Sequence, residues 1–101
     1  MTTTLTRIDG SRAEVHGDLL NDTVPAVLPE GSRLLAVAGD SWTVDLAGVG
    51  KVSSAGVAML LEWMRVAAAA GVALHIANLP EHMRPIISVS DLEPLFEPLL
   101  V

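Results

Sequence analysis

The sequence predicts an α/β fold: one mixed sheet of four or five strands with helices packed on it. Three observations carry this. Strand-like and helix-like runs alternate along most of the chain, an order that calls for parallel strands joined by helical crossovers. The first two strand-like runs are separated only by Gly10-Ser11, which makes them an antiparallel hairpin. The 101 residues, half of them apolar, suffice for one core in a single domain spanning residues 1–101.

TTTLTRID (2–9) is rich in β-branched residues and alternates, as a strand does; RAEVHGDL (12–19) puts Ala13 and Val15 on one face of a second strand. Residues 22–38 read as helical. Asp22 or Thr23 can cap the start, and Pro25 sits in the first turn, where a missing N–H matters little. Pro29 and Gly31 predict a break, with one piece near 23–28 and another near 32–38. SWTVDL (41–46) is a strand, and Gly48 and Gly50 predict a flexible loop after it. A helix follows from Ser54 to Ala70, stopped by Gly71. VALHIA (72–77) reads as a strand buried on both faces. EHMRPIISV (81–89) starts a helix complicated by Pro85, and Asp91 can cap a last short helix over 92–97, ended by Pro98.

At 100° per residue the Ser54 helix places Val57, Leu60, Leu61, Met64 and Ala68 on one face, the predicted core stripe. Ala58, Glu62, Arg65 and Ala69 fall on a solvent face, where Glu62 and Arg65 can pair for about 0.2–0.5 kcal/mol. Met59, Trp63 and Val66 form a second apolar flank. It either packs under a neighbouring helix such as 81–90 or meets a partner, for which Met and Trp are suited.

Composition excludes several function classes. Net charge is -6 and the six basic residues form no run, which disfavours nucleic acid and anionic membrane surfaces. There is no cysteine, so disulfides, thiolate metal sites and a Cys nucleophile are out, and a cytoplasmic setting fits. No secretory signal is visible in MTTTLTRIDG, and the longest apolar stretches are too short to span a bilayer. His16, His75 and His82 have no metal-ligand spacing. Gly48-x-Gly50-Lys51 is too short for a phosphate loop. Asp45 suits orienting the following loop better than acid–base chemistry. No cofactor is implied. The mean hydropathy of +0.49 is high for a small domain, which alanine and valine content or an apolar surface covered by a partner would each explain.

The remaining signal is the start of the long helix. Ser53 and Ser54 both sit where unpaired N–H groups gather positive potential. One hydroxyl caps the helix, a contribution of about 1 kcal/mol; the second is then spare. Asp45-Leu46, Val49-Gly50-Lys51-Val52, Ser53-Ser54-Ala55-Gly56 and Val57–Leu61 together resemble the STAS domain family, with His16-Gly17-Asp18-Leu19 similar to the family's second-strand ending. The resemblance implies a STAS-like, anti-sigma-factor-antagonist-like fold. In the antagonists the turn commonly reads Asp-Ser-Ser-Gly, and a kinase phosphorylates the residue before Gly. Here that residue is Ala55, which accepts no phosphate, and Ser53 stands at the aspartate position.

The chain is more similar to the MlaB-like branch, small cytoplasmic subunits of Mla-type phospholipid ABC transporters that maintain outer-membrane lipid asymmetry in Gram-negative bacteria. These keep a hydroxyl two residues before that Gly, which is Ser54 here. The resemblance implies a non-enzymatic subunit that binds an MlaF-like ATPase through Ser53, Ser54, Ala55 and Gly56, with Met59 and Trp63 on the adjoining flank. It would reach an MlaE-like permease and the inner membrane only through the complex, in two copies. Gly56 would let the partner approach closely, so a bulky residue at Ala55 or Gly56 would disturb docking more than folding. The alternative is an anti-sigma-factor antagonist switched by phosphorylation of Ser53 or Ser54.

Overall fold

The computed structural model describes residues 2–101. Strands β1 (Thr4–Asp9) and β2 (Arg12–Leu19) form the hairpin, helix α1 (Val24–Ala36) crosses to β3 (Ser41–Val52), and helix α2 (Ser54–Ala70) crosses to β4 (Ala73–Ala77). The sheet order is β1-β2-β3-β4; β1/β2 is antiparallel, while β2/β3 and β3/β4 are parallel. A single turn, Glu81–Met83, leads into α3 (Arg84–Val89), and α4 (Glu93–Phe96) is followed by the turn Glu97–Leu99. Leu100 then makes one parallel bridge to Ile76, the beginning of a fifth strand that goes no further. Among the described residues no helix is long and apolar enough to cross a membrane.

Alternation divides the sheet. Ala13, Val15, Leu19, Trp42, Val44, Leu46, Leu74 and Ile76 are buried on one face, and the helices pack there. Arg12, Glu14, His16, Thr43, Asp45 and His75 occupy the other face and are half-buried or exposed; Ala77, at the end of β4 on that face, is buried. This corrects the reading of β4 as buried on both faces: Ala73 is exposed and His75 half-buried.

Helix α1 is continuous, not broken at Pro29 and Gly31. Pro29 removes the hydrogen bond that its N–H would have made to Pro25 in the first turn, and the helix runs on through it. Gly31 is demanded by packing, because a Cβ there would overlap the indole of Trp63. Thr23 occupies the N-cap position but does not cap; its hydroxyl donates to the Asp18 carbonyl (2.7 Å) and accepts from the Leu20 N–H (2.8 Å). Near the C-terminus Asp91 takes a left-handed conformation (φ 56°) between α3 and α4, and Leu92 stands at the cap position instead.

The buried face of α2 is rotated from the predicted stripe. Gly56, Val57, Met59, Leu60, Trp63 and Ala67 are inside; Leu61 and Met64 are half-buried and Ala68 is exposed. The cause is α1. It lies along α2 and encloses the flank that carries Trp63, whose N–H donates to the Leu28 carbonyl (3.0 Å) and whose ring meets Trp42 edge-on at 5.6 Å. The helical neighbour covering Trp63 is therefore α1, not the 81–90 segment. Glu62 and Arg65 do pair on the outer face.

Candidate docking site at the start of helix α2

The turn into α2 is built by the end of β3. That strand runs through Gly48 and Gly50 to Val52, so the predicted flexible loop is strand. The register with β2 slips twice, from Glu14↔Asp45 to His16↔Gly48 and from Gly17↔Val49 to Leu19↔Val52. Each slip inserts one extra residue in β3, a pair of bulges that bend its end. Both glycines leave room for side chains of β2: as these lie, a Cβ on Gly48 would overlap the His16 ring, and one on Gly50 would reach the Asp18 carboxylate. Asp18 uses that space to accept the Lys51 N–H at 2.8 Å.

β4 pairs with β3 only from Ser41 to Asp45, which leaves the later part of β3 without a strand on that side. Side chains from the segment after β4 fill in. Asn78 donates to Asp45 at 2.9 Å, and His82 Nε2 lies 2.6 Å from the Gly50 carbonyl. Asp45 also accepts from the Ala47 N–H (2.9 Å) and from Arg12 (2.7 Å). These bonds, Asn78's foremost, hold its carboxyl below the usual carboxylate range against an opposing contribution from burial. Asp45 thus orients the strand end, as its position in the sequence predicts.

The two serines separate cleanly. Ser53 is the N-cap of α2, its extended backbone (φ -129°, ψ -175°) turning the hydroxyl to accept the Ala55 N–H at 3.1 Å. Its own N–H completes the ladder to Leu19 O at 3.0 Å. Ser54 is exposed, and among the described residues its hydroxyl has no hydrogen-bond partner. Ala55 is half-buried beside it.

Three other predicted contact residues lie inside. Met59 and Trp63 are both 0 % exposed, so neither is available to a partner in this form of the chain. Gly56 is buried too, and a Cβ there would stand 3.1 Å from Leu19 Cβ and 3.4 Å from Met83 Cε. Its missing side chain serves the protein's own packing, not a partner's approach. What remains on the surface is Lys51, Ser54, Ala58 and His82, with Val52, Ser53 and Ala55 half-buried among them. Asp18, Asn78 and His82 were not foreseen as parts of the site. Their roles depend on the bulged register, which no local pattern reveals. The three histidines are not brought together: His16 pairs with Glu14, His82 with Gly50, and His75 sits on β4.

A mixed α/β sheet with helices packed on it and a long helix starting on a capping serine is the arrangement that the sequence resemblance implies, and comparison decides the family. The family model described as "Mlab, STAS domain" matches residues 6–100. The chain belongs to the MlaB-type STAS domain family. Among solved structures, this STAS domain is similar to an anti-sigma factor antagonist from Mycobacterium paratuberculosis, with 21% identity, 94% of this chain and 81% of that chain covered, and a TM-score of 0.73. It is similar to Bacillus SpoIIAA in the phosphorylated form, with 18% identity, coverage of 99% and 89%, and a TM-score of 0.71. For SpoIIAA in its unphosphorylated form the values are 18%, 86% and 82%, and 0.66. At these identities the likeness is one of fold. No curated protein sequence matches this STAS domain.

Proposed function

We propose that this STAS domain is a non-catalytic regulatory or assembly subunit that docks, through the turn at Ser54, on the cytosolic ATPase of an Mla-type phospholipid ABC transporter. The observation that carries the reading is the division of labour between the serines. Ser53 satisfies the helix start, so the exposed Ser54 hydroxyl is not needed for folding and is presented to a partner. The MlaB-type family match supports the identity of that partner as an MlaF-like ATPase. Through it the protein reaches an MlaE-like permease at the cytoplasmic face of the inner membrane, two copies serving two ATPase subunits, and contributes to outer-membrane lipid asymmetry.

The test is an affinity pull-down from the native membrane fraction, wild type beside Ser54→Arg, with the melting temperature of both measured first. Ser54 is exposed, so arginine there meets only the unfavourable helix-dipole position, about 0.3–1 kcal/mol. An ABC ATPase identified with wild type and lost with folded Ser54→Arg supports the reading. An ATPase retained by Ser54→Arg removes the site.

The likeness in fold to anti-sigma-factor antagonists keeps one rival reading, a phosphorylation-switched antagonist. Ala55 leaves no acceptor beside Gly56, so phosphate would have to sit on Ser53 or Ser54. Capture of a sigma-regulatory kinase, and a gain of one phosphate in the intact mass after incubation with it, would favour the rival.

A further inference from the structure

Beyond Asp45 the edge of β3 that faces β4 has lost its strand partner, and the chain after β4 supplies side chains in its place. Asn78 closes the near end, at Asp45. His82 closes the far end: its Nε2 lies 2.6 Å from the Gly50 carbonyl, three residues before Ser53. The next residue, Met83, is fully buried and packs beneath Gly56 in the first turn of α2. The segment that opens α3 therefore grips the Ser53-Ser54 turn on both sides, at the strand end by a hydrogen bond and at the helix start by packing. On the opposite edge of β3 the turn is held through the Lys51 N–H to Asp18 and the Ser53 N–H to Leu19. His82 is exposed, as Lys51 and Asn78 are, while Met83 beside it is fully buried and anchors the segment in the core.

We propose that His82 is a positioning residue for the docking turn: by donating from Nε2 to the Gly50 carbonyl it sets the orientation in which Ser54 is presented. The role rests on the docking function proposed above, but its geometric part is testable without any partner. Gly50 is exposed, so water replaces part of what a lost donor supplied, and such a hydrogen bond carries about two- to threefold in a local equilibrium, near the low end of the usual range. The loosening is confined to the turn, because the core beneath it is untouched.

The experiment compares wild type with His82→Ala, His82→Gln and His82→Asn. Glutamine places an amide nitrogen near the Nε2 position; asparagine is too short to reach it. The first readout is amide hydrogen exchange by NMR at Lys51, Ser53, Ala55 and Gly56 in the isolated protein. The second is the Kd of each variant for the purified ATPase. We expect exchange to rise by about two- to threefold in His82→Ala and His82→Asn and to return to near wild type in His82→Gln, with the Kd following the same order. Unchanged exchange in His82→Ala overturns the proposal. So does failure of glutamine to restore it, which would assign the ring a packing role instead. Altered exchange with an unaltered Kd removes the link to docking. If wild type itself does not bind the ATPase, the transporter reading fails while the exchange data still decide whether His82 orders the turn.

Discussion

Gly31→Ala sets two known effects against each other. In an ordinary helix interior the change is favourable by about 1 kcal/mol, because glycine forfeits more backbone freedom on folding. Here the new methyl would overlap three ring atoms of Trp63, Cζ2, Cε2 and Cη2. The indole has nowhere to retreat: it is fully buried, bonded through its N–H to Leu28 O, and held edge-on against Trp42. Overpacking a core in this way costs about 1–3 kcal/mol, and a ring held on three sides belongs at the upper end. The net is a loss of about 2 kcal/mol, or ~10 °C in Tm for a domain of this size. Urea and thermal denaturation followed by tryptophan fluorescence measure it. The control is the Trp63→Phe background, where the overlapping atoms are gone and Gly31→Ala should become neutral or stabilising. A Gly31→Ala protein as stable as wild type, or an equal loss in both backgrounds, would refute the packing account of why α1 carries a glycine.

Ser53→Ala should lower stability by about 1 kcal/mol through loss of the cap, whereas Ser54→Ala should leave it within about 0.5 kcal/mol; urea titration of the pair separates the two serines, and equal losses would contradict the division of labour. Gly56→Leu should not give a folded protein, since its branches would enter the space of Leu19 and Met83; a cooperative melt near the wild-type temperature would show that the turn can yield. The hydrogen bond from Asn78, with those from Ala47 and Arg12, lowers the folded-state pKa of Asp45 from the ordinary aspartate value of 3.8, so its contribution is present above that pH and is lost as pH falls through the lower, folded value. Asp45→Asn should therefore flatten the decline of stability measured below about pH 4, leaving the slope that comes from other depressed carboxyls such as Asp9 and Glu30.

What the sequence discloses and what it hides follow from the range of the interaction involved. Element order, the hairpin, the parallel crossovers and the stop of α2 at Gly71 (φ 69°) depend on periodicity and turn chemistry within a few residues, and all are legible. So is the pairing of a capping serine with a spare one, because capping is a contact over two residues. The errors lie where a glycine answers a distant side chain. Gly31 reads as a helix breaker until Trp63 is placed against it, Gly48 and Gly50 read as loop until His16 and Asp18 lie across them, and Gly56 reads as an open approach until Leu19 and Met83 fill it. In each case the missing Cβ makes room for another part of the same chain, and local pattern carries no information about what that part is. The same blindness rotated the predicted core stripe of α2. Periodicity identifies an apolar arc wider than one contact needs, and only the position of α1 decides that Met59 and Trp63 face inward while Ala68 faces out. The correction narrows the docking site to the turn itself. With Met59, Trp63 and Gly56 committed to the core, the surface left for the proposed docking is the small polar one around Ser54, above a strand end that hydrogen bonds to Asp18 and His82 hold from opposite sides.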